Sequence, residues 1–244
     1  MNDFKIKSNH TNSFYDINFY IPEESKTDNL PLIIVLDGGN YFEVVKSCIK
    51  QQGQLYIKTG VKPSIVVGIS HQEYEKKDKR FLDFTAPSEK YFVDEKRKFM
   101  IPDKLGGSED FNSFIEKELL PIIETNLNFD KNNMTIIGHS LSGYYVLWNL
   151  LKGSNIYKNI ISFSPSVWWN NYEILDFPNL ENGEKNIFIG VGEKEGYMVD
   201  GAQKIYNKIT SFNNNCNLYI APEENHGSVV ITSMSRAIRY IFSI

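Results

Sequence analysis

Met134-Thr-Ile-Ile-Gly-His-Ser-Leu-Ser-Gly143 is the stretch that decides how this chain is read. An apolar run reaches Gly138 and His139, a polar apex follows at Ser140, and a helical pattern opens at Leu141 and runs to Leu151. Strand, sharp turn and helix in that order are the setting of a nucleophile elbow, with the serine at the apex. Small residues let the backbone bend tightly and let the helix pack on the strand. The helix N-terminus then aims N–H groups at a developing oxyanion. The usual pattern is Gly-x-Ser-x-Gly. Here Ser142 takes the last place and the glycine follows at 143, so the expectation is a slightly tighter elbow.

Outward from that stretch, short apolar runs alternate with helical periods. Strands are expected at Asn18–Ile21, Leu32–Asp37, Ile65–Ser70, Met134–His139, Ile160–Ser164, Ile187–Gly192 and Leu218–Ala221. Most are continuous Ile, Val and Phe runs, as strands buried on both faces should be. Helices are expected at Tyr41–Ile49, with Tyr41, Val44, Val45 and Cys48 on one face, and at Asp110–Asn126, kinked by Pro121. Leu141–Leu151, Ala202–Phe212 and Ser228–Phe242 complete the set. The expected class is α/β, one domain over residues 1–244 with a mostly parallel central sheet and helices on both faces. Residues 71–110, polar and mixed in charge, show no clear period and read as a long irregular excursion over the surface.

A serine nucleophile needs a base, and in this chain order the partners follow as serine, acid, histidine. Of His10, His71, His139 and His226 only His226 comes after Ser140, in a loop between the last strand and the last helix. His139, inside the elbow, is expected to point away into the packing. The acid should leave the strand that ends at Gly192, where Glu193 and Glu195 both stand, and spacing after the turn glycine favours Glu195. A second oxyanion donor should come from the loop Leu36-Asp37-Gly38-Gly39, whose N–H groups would act with that of Leu141.

Composition removes other classes. Lys and Arg number 26 against 30 Asp and Glu, a net charge of −4, so no basic field exists for nucleic acid or an anionic membrane surface. The longest apolar runs fall far short of the roughly 20 residues a membrane helix needs. The N-terminal MNDFKIKSNHTNSF has no apolar core for a secretory signal, and the two cysteines, Cys48 and Cys216, have no CxxC spacing. The expected setting is cytoplasmic. HExxH, EF-hand and GxxxxGK[ST] patterns are absent, and Gly190-Val-Gly192…Gly196 misses the GxGxxG spacing. Neither a metal nor another cofactor is expected.

Taken together, LDGGNYF, RFLDFTAP at 80–87, GGSEDFNSFIEKELLPIIE at 106–124, GHSLSG, SFSPSVWWN at 162–170, VGEKE and NHGSV resemble the esterase-D-like "putative esterase" branch of the α/β-hydrolases. That branch includes siderophore esterases acting on enterobactin- or bacillibactin-type trilactones and is related to S-formylglutathione hydrolases. The resemblance covers nearly the whole chain in order. It implies an α/β-hydrolase fold, Ser140 as nucleophile, His226 as base, and the N–H groups of Gly39 and Leu141 as oxyanion hole. Glu195 matches the acid position, although siderophore esterases can lack a conventional acid. The substrate implied is a small-molecule ester, including aryl and siderophore-type esters. Trp168 and Trp169 are then either pocket walls or packing, and Arg80 either pairs with Asp83 or touches substrate. Two other readings remain: acyl transfer to an alcohol by the same residues, and a catalytically silent binding protein on the same scaffold.

Overall fold

In the computed structural model, residues 1–23, 29–74, 76–95, 97–152, 156–178, 185–212 and 215–243 are described. The strands are β1 (Phe4–Lys7), β2 (Phe14–Tyr20), β3 (Leu30–Leu36), β4 (Ile65–His71), β5 (Phe129–His139), β6 (Asn159–Phe163), β7 (Asn186–Gly192) and β8 (Asn215–Ala221). They form one eight-stranded sheet in the order β1-β2-β4-β3-β5-β6-β7-β8. β2 runs antiparallel to β1 and to β4, and every other neighbouring pair is parallel. The expected mostly parallel α/β sheet is therefore present. β1 is an addition: four alternating residues at the sheet edge carry too little apolar sequence to stand out.

Residue parity splits the core. Ile33, Val35, Val66, Ile137 and Ile161 face one side of the sheet, where α1 (Gly38–Gly53) and α9 (Val229–Phe242) cover them. Leu32, Ile34, Leu36, Val67 and Ile136 face the other. There α3 (Lys76–Phe84), α4 (Ser108–Phe114), α5 (Leu120–Asn126), α6 (Leu141–Leu151) and α8 (Tyr197–Thr210) complete the layer. The single turns α2 (Tyr56–Thr59) and α7 (Trp169–Tyr172) lie between these.

Three local readings change. In α1 the buried face is Phe42, Val45 and Ile49, so Tyr41 is left free to reach the site. The helix expected over Asp110–Asn126 contains a π turn at Ile115–Leu119, just ahead of Pro121. The extra residue shifts the buried stripe from Ile122 to Leu120 and Ile123. The 71–110 excursion carries helix α3, packed on α4 and α6. Its sequence, KKDKRFLDF, is too polar for periodicity to reveal it, and packing supplies what propensity does not.

Candidate active site

Ser140 sits between β5 and α6 with φ 60 and ψ −114, a conformation that costs a non-glycine residue of order 1–3 kcal/mol and persists only where its surroundings enforce it. Here the enforcement is explicit. The Ser140 N–H donates to the Phe163 carbonyl at 2.9 Å, and the Ser140 carbonyl accepts from Tyr144 at 2.9 Å and from Ser166 at 3.0 Å. A Cβ at Gly138 would run into the Ser142 carbonyl, and one at Gly143 would come within 2.8 Å of the Phe163 carbonyl. The two glycines are thus the pair the tight turn requires, with Ser142 between them and Leu141 opening α6.

His226 lies in the loop between β8 and α9, and its Nδ1 is 2.6 Å from Glu195 Oε2. The other carboxylate oxygen accepts from Ser164 Oγ at 2.6 Å and from the Gly192 N–H at 2.7 Å. Burial alone would raise the Glu195 carboxyl; the hydrogen bonds from His226, Ser164 and Gly192 outweigh it and hold the pKa below the usual glutamate value. Glu193 faces elsewhere, accepting the Glu223 N–H at 2.9 Å, and so steadies the loop that carries His226.

Asp37 ends β3 in the left-handed conformation (φ 52, ψ 43) and opens α1. Arg80 of α3 donates to it twice, Nε to Oδ1 at 2.6 Å and Nη2 to Oδ2 at 2.9 Å. Arg80 therefore pairs with Asp37 and not with Asp83, which is turned into the core to accept from Tyr15 at 2.6 Å and to meet His71 Nε2 at 2.9 Å. Ser142 Oγ donates to Asp37 Oδ2 at 2.7 Å and accepts the His139 N–H at 2.9 Å. Burial would raise the Asp37 carboxyl, but the Arg80 charge, aided by Ser142, takes it below the usual range. Gly38 and Gly39 are the first residues of α1, and Leu141 is the first of α6. Their N–H groups precede any intrahelical acceptor, and the Ser142–Asp37 bond ties the two helix starts together.

His139 is buried, as expected, but its surroundings are the site. Its ring centroid is 4.4 Å from that of His226 and its Nδ1 is 2.8 Å from the Tyr41 hydroxyl. Burial and the neighbouring His226 push the His139 pKa down to about 4, while burial pushes Tyr41 up to about 12. Near neutral pH this hydrogen bond therefore joins a neutral phenol and a neutral imidazole. A cavity of about 430 Å³ is lined by Ser140, His226, His139, Tyr41, Arg80 and Lys76 among others, so Ser140 and His226 share one opening. Trp169 is fully buried against Phe81 and Tyr91 and is core, not a pocket wall. Trp168 is half-buried and lines a separate cavity. Asp37, Tyr41 and Ser164 are not singled out by the sequence; for Asp37 and Ser164 the available signal is a polar residue closing an apolar strand.

Among the described residues no group of three or more His, Cys, Asp or Glu side chains is placed to hold a metal, and no helix is long and apolar enough to cross a membrane. Comparison with known proteins agrees with the layout. A family model described as "Putative esterase" matches residues 8–226. Ferri-bacillibactin esterase BesA of Bacillus subtilis (strain 168) is 33% identical over 225 residues, covering 86% of this chain and 78% of its own. The crystal structure of BES protein from Bacillus cereus superposes with a TM-score of 0.87 at 33% identity, over 98% of this chain and 94% of that one. Siderophore hydrolase EstA from Aspergillus nidulans shares the fold, with a TM-score of 0.80 at 18% identity over 99% and 93% of the two chains. With its sheet order, its elbow and these relatives in agreement, the chain belongs to the "putative esterase" family of α/β-hydrolases and is an ester hydrolase.

Proposed function

We propose that Ser140, His226 and Glu195 form the catalytic triad of a serine carboxylic-ester hydrolase, with the N–H groups of Gly39 and Leu141 as the oxyanion hole. The observation that carries this is the 2.6 Å contact between His226 Nδ1 and Glu195 Oε2 beside a strained Ser140 in one cavity. With Nδ1 occupied by Glu195, the Nε2 of His226 takes the Ser140 proton as Oγ attacks the ester carbonyl. The tetrahedral oxyanion is held by the two helix-start N–H groups. Collapse breaks the C–O bond, and the leaving alcohol takes the proton from His226. Water, deprotonated by His226, then attacks the acyl-Ser140 ester and releases the carboxylic acid and free Ser140.

The substrate class we propose is a siderophore-type ester carrying aryl groups, because the BesA relative is named for ferri-bacillibactin and matches most of this chain. We further propose that residues 1–244 act as one catalytic domain. Two unbridged cysteines, Cys48 and Cys216, suit a reducing, cytoplasmic compartment. The test is turnover of enterobactin- and bacillibactin-type trilactones, iron-free and ferric, in ¹⁸O-labelled water. One labelled oxygen in the released carboxylate supports hydrolysis at a carbonyl. Ester products formed with an added alcohol, in preference to the acid, would favour acyl transfer, and no turnover of any trilactone would reject this substrate class.

A further inference from the structure

A cavity of about 610 Å³, separate from the one at Ser140 and His226, is lined by Phe92, Asp94, Arg97, Trp168, Tyr172 and Tyr197, among others. That volume lies within the range of small-molecule sites, roughly 300–1,000 Å³. Its walls are carried by the segments that build the catalytic site. Trp168 follows two residues after Ser166, whose N–H donates to the Ser140 carbonyl at 3.0 Å and whose Oγ is 3.5 Å from Ser140 Oγ. Tyr197 follows two residues after Glu195. Two residues span at most about 7 Å of chain, so both walls are carried close along the chain to residues of the proposed catalytic site.

Arg97 stands between its aromatic walls. The guanidinium carbon is 4.1 Å from the Trp168 ring centroid and 4.6 Å from that of Tyr197. Among the described residues no acceptor lies within hydrogen-bond distance of the guanidinium, so the rings hold its plane while its N–H edge is unspent. Phe92 and Tyr197, both in this lining, are large aromatics left 57% and 48% exposed. The wall is also held under strain. Asn170, Asn171 and Tyr172 are three consecutive non-glycine residues with positive φ. Asn170 Oδ1 accepts the Phe92 N–H at 2.7 Å, and its amide donates to Glu173, which accepts from Tyr144 at 2.6 Å. Backbone strain held by side-chain bonds clusters at active sites, ligand clamps and switch regions.

We propose that this cavity is an aryl subsite, binding an aromatic acyl arm of a multi-armed ester other than the arm being cleaved. Its ring packs on Phe92 and against the edges of Trp168 and Tyr197, whose faces Arg97 covers, and its carbonyl or phenolic oxygen accepts from Arg97. This rests on the siderophore-type, aryl-ester reading above.

The experiment compares kcat/KM for the iron-free enterobactin-type trilactone with kcat/KM for 4-nitrophenyl acetate, which has no second arm, in the parent, Arg97→Met, Arg97→Lys and Trp168→Ala. Taking the ratio of the two substrates cancels any loss of folded protein. The expected result is a fall in that ratio on the order of tenfold for Arg97→Met, the size of one lost charged hydrogen bond. KM should carry the change, Trp168→Ala should fall similarly, and Arg97→Lys should recover part of it. A ratio within about twofold of the parent in Arg97→Met and Trp168→Ala would overturn the subsite and leave the substrate class standing. A parent that cleaves the acetate but not the trilactone would overturn both.

Discussion

Ser142 Oγ lies 2.7 Å from Asp37 Oδ2, a hydrogen bond between residues 105 apart in sequence that joins the start of helix α6 to the start of α1. The position where the usual elbow has glycine thus holds a polar tie between the two helix starts proposed to supply the oxyanion donors, and Arg80 binds both oxygens of the same carboxylate. The departure from the pattern is a support and not only a tightening.

It follows that Ser142→Gly, which restores the usual elbow pattern, should lower kcat and not raise it. A loss of about tenfold, with KM moving less, is expected from slackened alignment of the donor N–H groups. Ser142→Ala should cost about 2 kcal/mol in stability, because Asp37 keeps Arg80. Arg80→Met leaves a buried carboxylate without its cation and should cost about 3–5 kcal/mol. Urea unfolding and steady-state kinetics check both, and a faster Ser142→Gly enzyme would contradict the assignment.

The two glutamates should separate cleanly. Glu195→Ala removes the group that orients His226 and leaves Ser164 and the Gly192 N–H unsatisfied. Its kcat should drop on the order of 10³-fold. Glu193→Ala loosens one loop contact and should lose far less. A larger loss in Glu193→Ala, measured under identical conditions, would reverse the choice of acid.

Stability should depend on pH through His139. Its pKa is about 4 in the folded protein against 6.5 as the ordinary value. Between those values the unfolded chain binds a proton that the native state does not, so stability falls as pH is lowered through this window, by about 3 kcal/mol over its whole span. Glu195 and Asp37, with lowered pKa values, contribute stability that is present above the ordinary carboxylate range and lost below it. Urea denaturation at pH 7 and pH 5 should show a smaller difference in His139→Gln than in the parent. Equal differences in the two proteins would rule out a neutral buried imidazole.

What was legible in the sequence was what is local or ordered along the chain. Met134–Leu151 shows strand, elbow and helix by itself, and chain order with the strand end at Gly192 points to His226 and the Glu193–Glu195 segment, of which Glu195 meets His226. What was not legible depends on contacts between distant residues. Arg80 reaches Asp37 across 43 residues, so sequence proximity suggested Asp83 in its place. Helix α3 has few apolar positions and is held by α4 and α6. The π turn at Ile115–Leu119 moves the buried stripe by one residue, which a fixed 3.6-residue period cannot anticipate. Trp168 and Trp169 are adjacent in sequence, yet one lines a cavity and the other is core.

The central claim is an activated Ser140, and intact-mass analysis after incubation with a fluorophosphonate tests it most directly. The parent should gain the mass of a single phosphonyl adduct, mapped to the peptide containing Ser140. Ser140→Ala should gain none, and His226→Ala should label far more slowly. No adduct on a folded parent, or an adduct that persists in Ser140→Ala, would contradict the assignment of the nucleophile.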